Sequence, residues 1–344
     1  MLRLARTLSL SLLALGLALP AASAQESKAK DLFGSERLPS LQAAASYGFY
    51  SKGCLAGGVA IATDGPTWQA MRLSRNRRWG HPTMIRVLEK LSRDAVADGW
   101  PGLLLGDISQ PRGGPMLSGH ASHQIGLDAD IWFTPMPPKR LTAQERESIQ
   151  PRSLVNEKTH LVIDRLWKPE HARLLKRAAS YPEVERILVN AGIKRKLCET
   201  VKGDRSWLAK VRPFWGHDYH FHIRIGCQAG SPGCKGQEPV QMTDDGCGKP
   251  LAWWFTEEPW RPNKNPDAPK ARDLMTMQNL PNACRAVLEA KGPASEAVVT
   301  MGTNGAAPAA ARVATAPTPD DMPALGFMPL PDADAPTPFP RPRG

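Results

Sequence analysis

Met84, Val87, Leu88, Leu91 and Ala95 recur at helical spacing through HPTMIRVLEKLSRDAVADG, residues 81–99, with charged residues between them. Pro82 suits a first turn and Gly99 a stop, so the pattern predicts an amphipathic helix. The short apolar run GLLLGDIS, residues 102–109, reads as a strand. KPEHARLLKRAAS, 168–180, and PEVERILVNAGIKRKL, 182–197, each gather apolar residues on one face and predict two more helices. A two-residue period appears in LDADIWF, 127–133, and in GHDYHFHIRI, 216–225, which predicts strands. These elements follow one another without regular β-α-β alternation. The expected class is therefore α+β, a small antiparallel sheet with flanking helices and loops.

The ends of the chain carry different signals. MLRLAR, the run LSLSLLALGLAL and the small residues Ala22-Ser23-Ala24 have the form of a secretory signal peptide over residues 1–24. Its apolar core is shorter than a membrane span, and no later stretch is long and apolar enough to be one. Gln25 stands where a lipid anchor would need cysteine, so the mature chain is expected to be exported and unanchored. Residues 25–291 look globular. Beyond them, 292–344 are rich in Ala and Pro with no sustained apolar period, and are expected to be disordered.

Export sets the meaning of Cys54, Cys198, Cys227, Cys234, Cys247 and Cys284: six cysteines in an oxidising compartment are a disulfide framework before they are a metal site. Fifteen pairings are open, and the only local suggestion is Cys227 with Cys234, joined by the turn-forming QAGSPG. The formal charge is +11; Arg3 and Arg6 supply two of it, leaving +9 after residue 24. A basic exported chain attracts anionic polymers or lipid. Nucleic acid is the weakest partner class, because no helix-turn-helix, aromatic RNA-binding signature or long Lys/Arg block is present.

The chemistry concentrates in two histidine clusters. SGHASHQIGLDADIW, 118–132, holds His120, His123, Asp128 and Asp130; the strand at 216–225 holds His217, His220 and His222. Strand alternation puts His220 and His222 on one face and Asp128 and Asp130 on one face. Gly126 permits a turn that brings His123 back toward Asp130. Imidazole nitrogen and carboxylate oxygen are the ligands of zinc sites that keep an open position for water or substrate. His81, His160 and His171 stand alone and are expected to be structural.

HASHQIGLDADIW together with GHDYHFHIRIGC resembles the penicillin-insensitive murein endopeptidases, a bacterial branch of the zinc peptidases that includes lysostaphin-type enzymes, D-Ala-D-Ala peptidases and the hedgehog signalling domain. The resemblance runs from about Cys54 to Cys284 and takes in MRLSRNRRWGHP, LWKPE, KVRPFWGHDYH and DDGCG. It implies that His123, Asp130 and His222 hold one Zn²⁺ per chain. It also implies that His220 acts as general base or transition-state stabiliser, with His120 and His217 as auxiliary acid/base or substrate-binding groups. Asp128 stands where the D-Ala-D-Ala peptidases usually have a small residue, which favours the endopeptidase branch and leaves its own role open. The family further implies the pairs Cys54–Cys284, Cys198–Cys247 and Cys227–Cys234.

The function implied is zinc-dependent hydrolysis of peptidoglycan cross-links at the D-alanyl-meso-diaminopimelyl bond in a Gram-negative periplasm. It proceeds through a metal-activated water with no acyl-enzyme for penicillin to trap. The alternatives are a D,D-carboxypeptidase trimming terminal D-alanine and a non-catalytic zinc domain that binds wall polymer. Stem peptides carry carboxylates that Arg72, Arg75, Arg77 and Arg78 would suit, but a charged run is ordinarily a solvated face, and these four are left outside the expected site. The sequence is silent on oligomeric state.

Overall fold

The computed structural model describes residues 26–262, 264–265 and 267–301. The expected leader at 1–24 and the chain beyond Met301 lie outside the described residues. Among these residues the strands are β1 Ala45–Phe49, β2 Lys52–Ala56, β3 Val59–Ile61, β4 Trp68–Ala70, β5 Trp79–Gly80, β6 Leu103–Leu105, β7 Asp128–Trp132, β8 Val184–Val189, β9 Val211–Pro213, β10 His220–Ile225 and β11 Thr300–Met301. The helices are α1 Ala29–Ser35, α2 Pro82–Ala97, α3 Ala143–Ser148, α4 Pro169–Ala179, α5 Ala191–Thr200, α6 Lys249–Trp253, α7 Ala271–Leu274 and α8 Ala283–Glu289. The class is α+β, as expected.

A six-stranded sheet in the order β4-β6-β7-β10-β8-β9 organises the molecule. Its four central strands pair antiparallel, but the outer pairs β4–β6 and β8–β9 are parallel. This departs from a purely antiparallel sheet, and the cause is connectivity. A parallel pair needs a long crossover, which α2 supplies between β4 and β6 and α5 between β8 and β9.

One face of this sheet is apolar. Ala129 and Ile131 of β7, Phe221, Ile223 and Ile225 of β10, and Val184, Ile187 and Val189 of β8 share a cluster with Leu88 and Leu91 of α2 and Leu174 and Leu175 of α4. Helix α2 forms where its pattern predicts. The His81 Nδ1 accepts from the Thr83 N–H at 3.2 Å, Pro82 fills the first turn, and Gly99 at φ 89° ends it. Leu88 is wholly buried, so Leu88→Ala costs about 2–5 kcal/mol.

Residues 182–197 are not one helix. VERILV forms β8, hydrogen-bonded to β10 and β9, and α5 begins only after Asn190, whose Oδ1 accepts from the Gly192 N–H at 2.9 Å. The β-branched Val184, Ile187 and Val189 pack into the sheet core, and tertiary pairing overrides the helical reading. The composition boundary at 291 also falls short of the packed chain: Thr300 and Met301 pair parallel with Ala60 and Ile61, and Val299 and Met301 are buried.

Three disulfides, Cys54–Cys284, Cys198–Cys247 and Cys227–Cys234, match the pairing that the family resemblance implies. The first ties β2 to α8 across 230 residues of chain.

Candidate metal centre and active site

The opposite face of the central strands is polar and buried. In the register of β7 and β10, Asp130 lies opposite His222 and Asp128 opposite Arg224, with His220 opposite Trp132. The alternation that sends Ile131 and Phe221 into the core therefore places two carboxylates, two imidazoles and a guanidinium on the other side.

The loop before β7 adds two more imidazoles. Gly126, at φ 71°, makes the turn, and a Cβ there would stand 2.6 Å from Leu55 and 2.9 Å from the His81 nitrogen, so only glycine fits. His123 itself takes a left-handed backbone, φ 68°, an uncommon state for a non-glycine residue. It is fixed there by the Asp128 Oδ2, which accepts from its N–H at 3.0 Å, and by the Ser109 Oγ, which donates to its carbonyl at 2.7 Å.

Each ring is oriented by a second group. His123 Nδ1 lies 2.6 Å from the Ile108 carbonyl. A carbonyl only accepts, so Nδ1 carries the proton and Nε2 presents a lone pair. His222 Nε2 donates to Asp128 Oδ1 at 2.9 Å, turning Nδ1 toward Asp130. Asp128 also accepts from Arg224 Nε at 2.7 Å and Nη2 at 3.1 Å. Its open role is thereby placed: it holds His123, His222 and Arg224 together. His217, also left-handed at φ 53°, donates from Nδ1 to the Trp215 carbonyl at 2.8 Å, and its ring centre is 4.8 Å from that of His220.

These rings converge on Asp130. Its Oδ1 stands 3.2 Å from His222 Nδ1, 3.5 Å from His123 Nε2 and 3.6 Å from His220 Nε2. Yet Asp130 Oδ1 and His123 Nε2 are both buried without a hydrogen-bond partner. Two buried acceptors facing each other repel unless a cation lies between them. The donor set, imidazole nitrogen with carboxylate oxygen, suits a divalent transition metal such as zinc.

His120, His123 and Asp130 each bring a ligand atom to within 4.8 Å of the others. His120 Nε2, however, is already committed as donor to Asp107 Oδ2 at 3.0 Å, with Asp130 Oδ2 at 3.4 Å. The nitrogens not so committed and nearest Asp130 Oδ1 are those of His123 and His222.

The electrostatics follow from burial and charge. Burial opposes ionisation of Asp130, but His220, His123 and His120 outweigh it and hold its carboxyl well below the usual range. Burial likewise opposes charge on Asp128, where Arg224 and His222 prevail, and on Asp107, where His120 and Arg77 do. His220 is pushed down to about 4 by burial, and His217 is also kept neutral chiefly by burial. His120 and His222 are raised: burial works against their charge, and the facing aspartates overcome it.

All six expected site residues, His120, His123, Asp130, His217, His220 and His222, thus meet on one sheet face. Asp107 and Arg224 were not anticipated, and Arg77, left outside the expected site, is buried against Asp107. Arg224 could have been found, since it continues the alternation of His220 and His222; Asp107 arrives through a contact distant in sequence. The lone histidines are structural by geometry. His81 caps α2, His171 packs against Trp100 and Trp167, and His160 stacks on Trp260 with ring centres 3.7 Å apart.

Comparison with known proteins places this arrangement. The model of the family described as penicillin-insensitive murein endopeptidase matches residues 46–289. A Haemophilus influenzae protein named penicillin-insensitive murein endopeptidase is 44% identical over 227 residues, covering 66% of this chain and 78% of its own. Proteins of the same name from Klebsiella pneumoniae and Escherichia coli are 40% and 39% identical over 246 residues, each covering 72% of this chain and 86% of their own. The matched region contains every residue of the polar sheet face, and the chain belongs to the penicillin-insensitive murein endopeptidase family of peptidases.

Proposed function

We propose that this murein endopeptidase acts on the D-alanyl-meso-diaminopimelyl cross-link of peptidoglycan, with one zinc ion held by His123, Asp130 and His222. The observation that carries the reading is the convergence of His123 Nε2 and Asp130 Oδ1, buried and unpartnered, beside His222 Nδ1. Bound there, a divalent metal supplies a Lewis acid that polarises a carbonyl and makes water acidic. The chain's own groups do the rest. Asp128 and the Ile108 carbonyl keep the two imidazoles aimed. His220, neutral and beside Asp130, accepts a proton from the attacking water. His217 and His120 flank it, His120 as the group that donates toward the departing amine. The site needs no serine or cysteine nucleophile, which agrees with indifference to penicillin.

The location proposed is the periplasm. Three disulfides suit an oxidising compartment, and among the described residues no helix is long and apolar enough to cross a membrane.

The test is mass spectrometry of a purified cross-linked muropeptide dimer after incubation with the protein, with and without a chelator. The expected result is conversion to monomers that the chelator abolishes and zinc restores. Release of free D-alanine with the cross-link intact would instead make the enzyme a D,D-carboxypeptidase. An intact dimer in the presence of fully metal-loaded protein would leave a wall-binding domain.

A further inference from the structure

Of the four arginines in MRLSRNRR, three are consumed inside the fold. Arg72 donates to the carbonyls of Arg146 and Ile149 and lies over the Trp132 ring. Arg77 is buried against Asp107 and Ser118. Arg78 donates to the Ile61 carbonyl and pairs with Glu296. Arg75 differs: its side chain is 46% exposed, and only Nη1 is engaged, with Asp107 Oδ2 at 3.1 Å. Among the described residues its Nε and Nη2 have no hydrogen-bond partner.

The same Asp107 oxygen accepts from His120 Nε2 at 3.0 Å, and that nitrogen is 3.4 Å from Asp130 Oδ2. Arg75 is therefore linked to the proposed metal ligand Asp130 through the Asp107 carboxylate and the His120 imidazole, and is the exposed end of that chain. Asp107 is a single anion facing two guanidiniums and an imidazole, which leaves positive charge over at this edge.

The turn that presents Arg75 is unusual. Arg72 at φ 55° and Asn76 at φ 52°, both left-handed and neither glycine, bracket the one-turn helix Leu73–Arg75. Such backbone persists only where neighbours fix it, and here they do. Glu147 accepts from the Ser74 N–H at 2.8 Å and its Oγ–H at 2.9 Å, while Asn76 Oδ1 accepts from Trp79 Nε1 at 2.7 Å. The turn is thus fixed before anything binds, and the partly exposed guanidinium is tethered at Nη1 by Asp107.

We infer that Arg75 binds the carboxylate on the substrate carbon that bears the scissile amide nitrogen, and so selects cross-links whose amine-side residue carries a free acid at that carbon. The inference rests on the proposed cross-link specificity: in a D-alanyl-diaminopimelyl bond that carbon carries a carboxylate, two bonds from the nitrogen released on cleavage. A guanidinium fork pairs with a carboxylate through two parallel hydrogen bonds, whereas a primary amide offers one acceptor and no charge.

The test uses metal-loaded protein and two muropeptide dimers, identical except that this carboxylate is free in one and a primary amide in the other. The wild-type enzyme should prefer the free acid in kcat/KM by about tenfold to a hundredfold, the range of one charge-assisted pair. Arg75→Gln should bring that ratio toward one, chiefly through KM, with Arg75→Lys intermediate and metal content unchanged. If the ratio survives in Arg75→Gln, even with both rates lowered, the residue merely props Asp107 and the inference is overturned. Equal cleavage of both dimers by the wild type overturns it while leaving the endopeptidase reading intact. Cleavage of neither overturns both.

Discussion

Asp130 and His222 face each other directly across the pairing of β7 and β10, with Oδ1 and Nδ1 3.2 Å apart. Direct cross-strand neighbours have their Cβ atoms about 5 Å apart. That spacing suits two short side chains meeting at a shared ion, and it is set by the sheet rather than by a loop. His123 completes the group from a loop that the Asp128 carboxylate and Ser109 hold closed.

Removing Asp130 should therefore abolish metal retention and cross-link cleavage together. Loss of a group that merely orients a ligand weakens metal binding by about tenfold to a hundredfold, and a direct ligand should exceed that. Elemental analysis of purified Asp130→Ala and His123→Ala, beside the muropeptide assay, checks it. Normal zinc content in either variant would remove that residue from the ligand set.

Asp128→Ala should have two separable effects. Metal affinity should fall by about tenfold to a hundredfold as His222 loses its orienting carboxylate. The fold should also lose about 3–5 kcal/mol, because Arg224 remains buried with no counter-charge. Competition with a fluorescent chelator measures the first and urea unfolding of metal-free protein the second. In the double variant Asp128→Ala/Arg224→Met much of the stability should return while affinity stays low.

How far the site was legible follows from which contacts are local. The alternation of His220 and His222 with Phe221 and Ile223 specifies both faces of β10, and Gly126 marks the turn that returns His123. Asp107 could not be read in the same way. It follows an apolar strand with no motif of its own and joins the site only because Gly106 lets β6 run against Asp130, where an added Cβ would stand 3.1 Å from that residue. The misread segment 182–189 fails for another reason: VERILV, with four apolar positions around Glu185 and Arg186, fits a strand or a helix turn equally, and hydrogen bonding to β10 decides it.

His81 gives a pH prediction away from the metal site. Burial pushes its pKa down to about 4, against about 6.5 in an unfolded chain. Its depressed value means that stability is complete above pH 6.5 and falls as pH drops toward 4. The span is worth about 3 kcal/mol. The main cause is that the charged ring would be buried, with Arg86 adding repulsion; a protonated Nδ1 also can no longer accept from the Thr83 N–H at the start of α2. In His81→Asn, which keeps a capping acceptor without the titration, the urea midpoint should vary less between pH 6.5 and 4. An unchanged pH slope would assign the acid sensitivity elsewhere.

Severing Cys54–Cys284 should be the most damaging single covalent change. Closing 230 residues restricts the unfolded chain by an amount worth about 5 kcal/mol. Paired Cys54→Ser/Cys284→Ser should accordingly lower the thermal midpoint more than paired Cys227→Ser/Cys234→Ser, whose loop is seven residues. Scanning calorimetry of both pairs checks the order.

The opposed placement of Asp130 and His222 has a consequence for how the protein folds. A slip of β10 against β7 by one residue would turn Phe221 and Ile223 outward and drive His220 and His222 into the apolar side. Such a misaligned sheet has no cluster of ligands to offer. An ion that binds at this face therefore stabilises only the correctly aligned pair, by mass action, and withholds that stabilisation from every shifted one. The proposed metal face would thereby act as an inspection point for strand alignment, its affinity reporting that β7 and β10 are correctly paired.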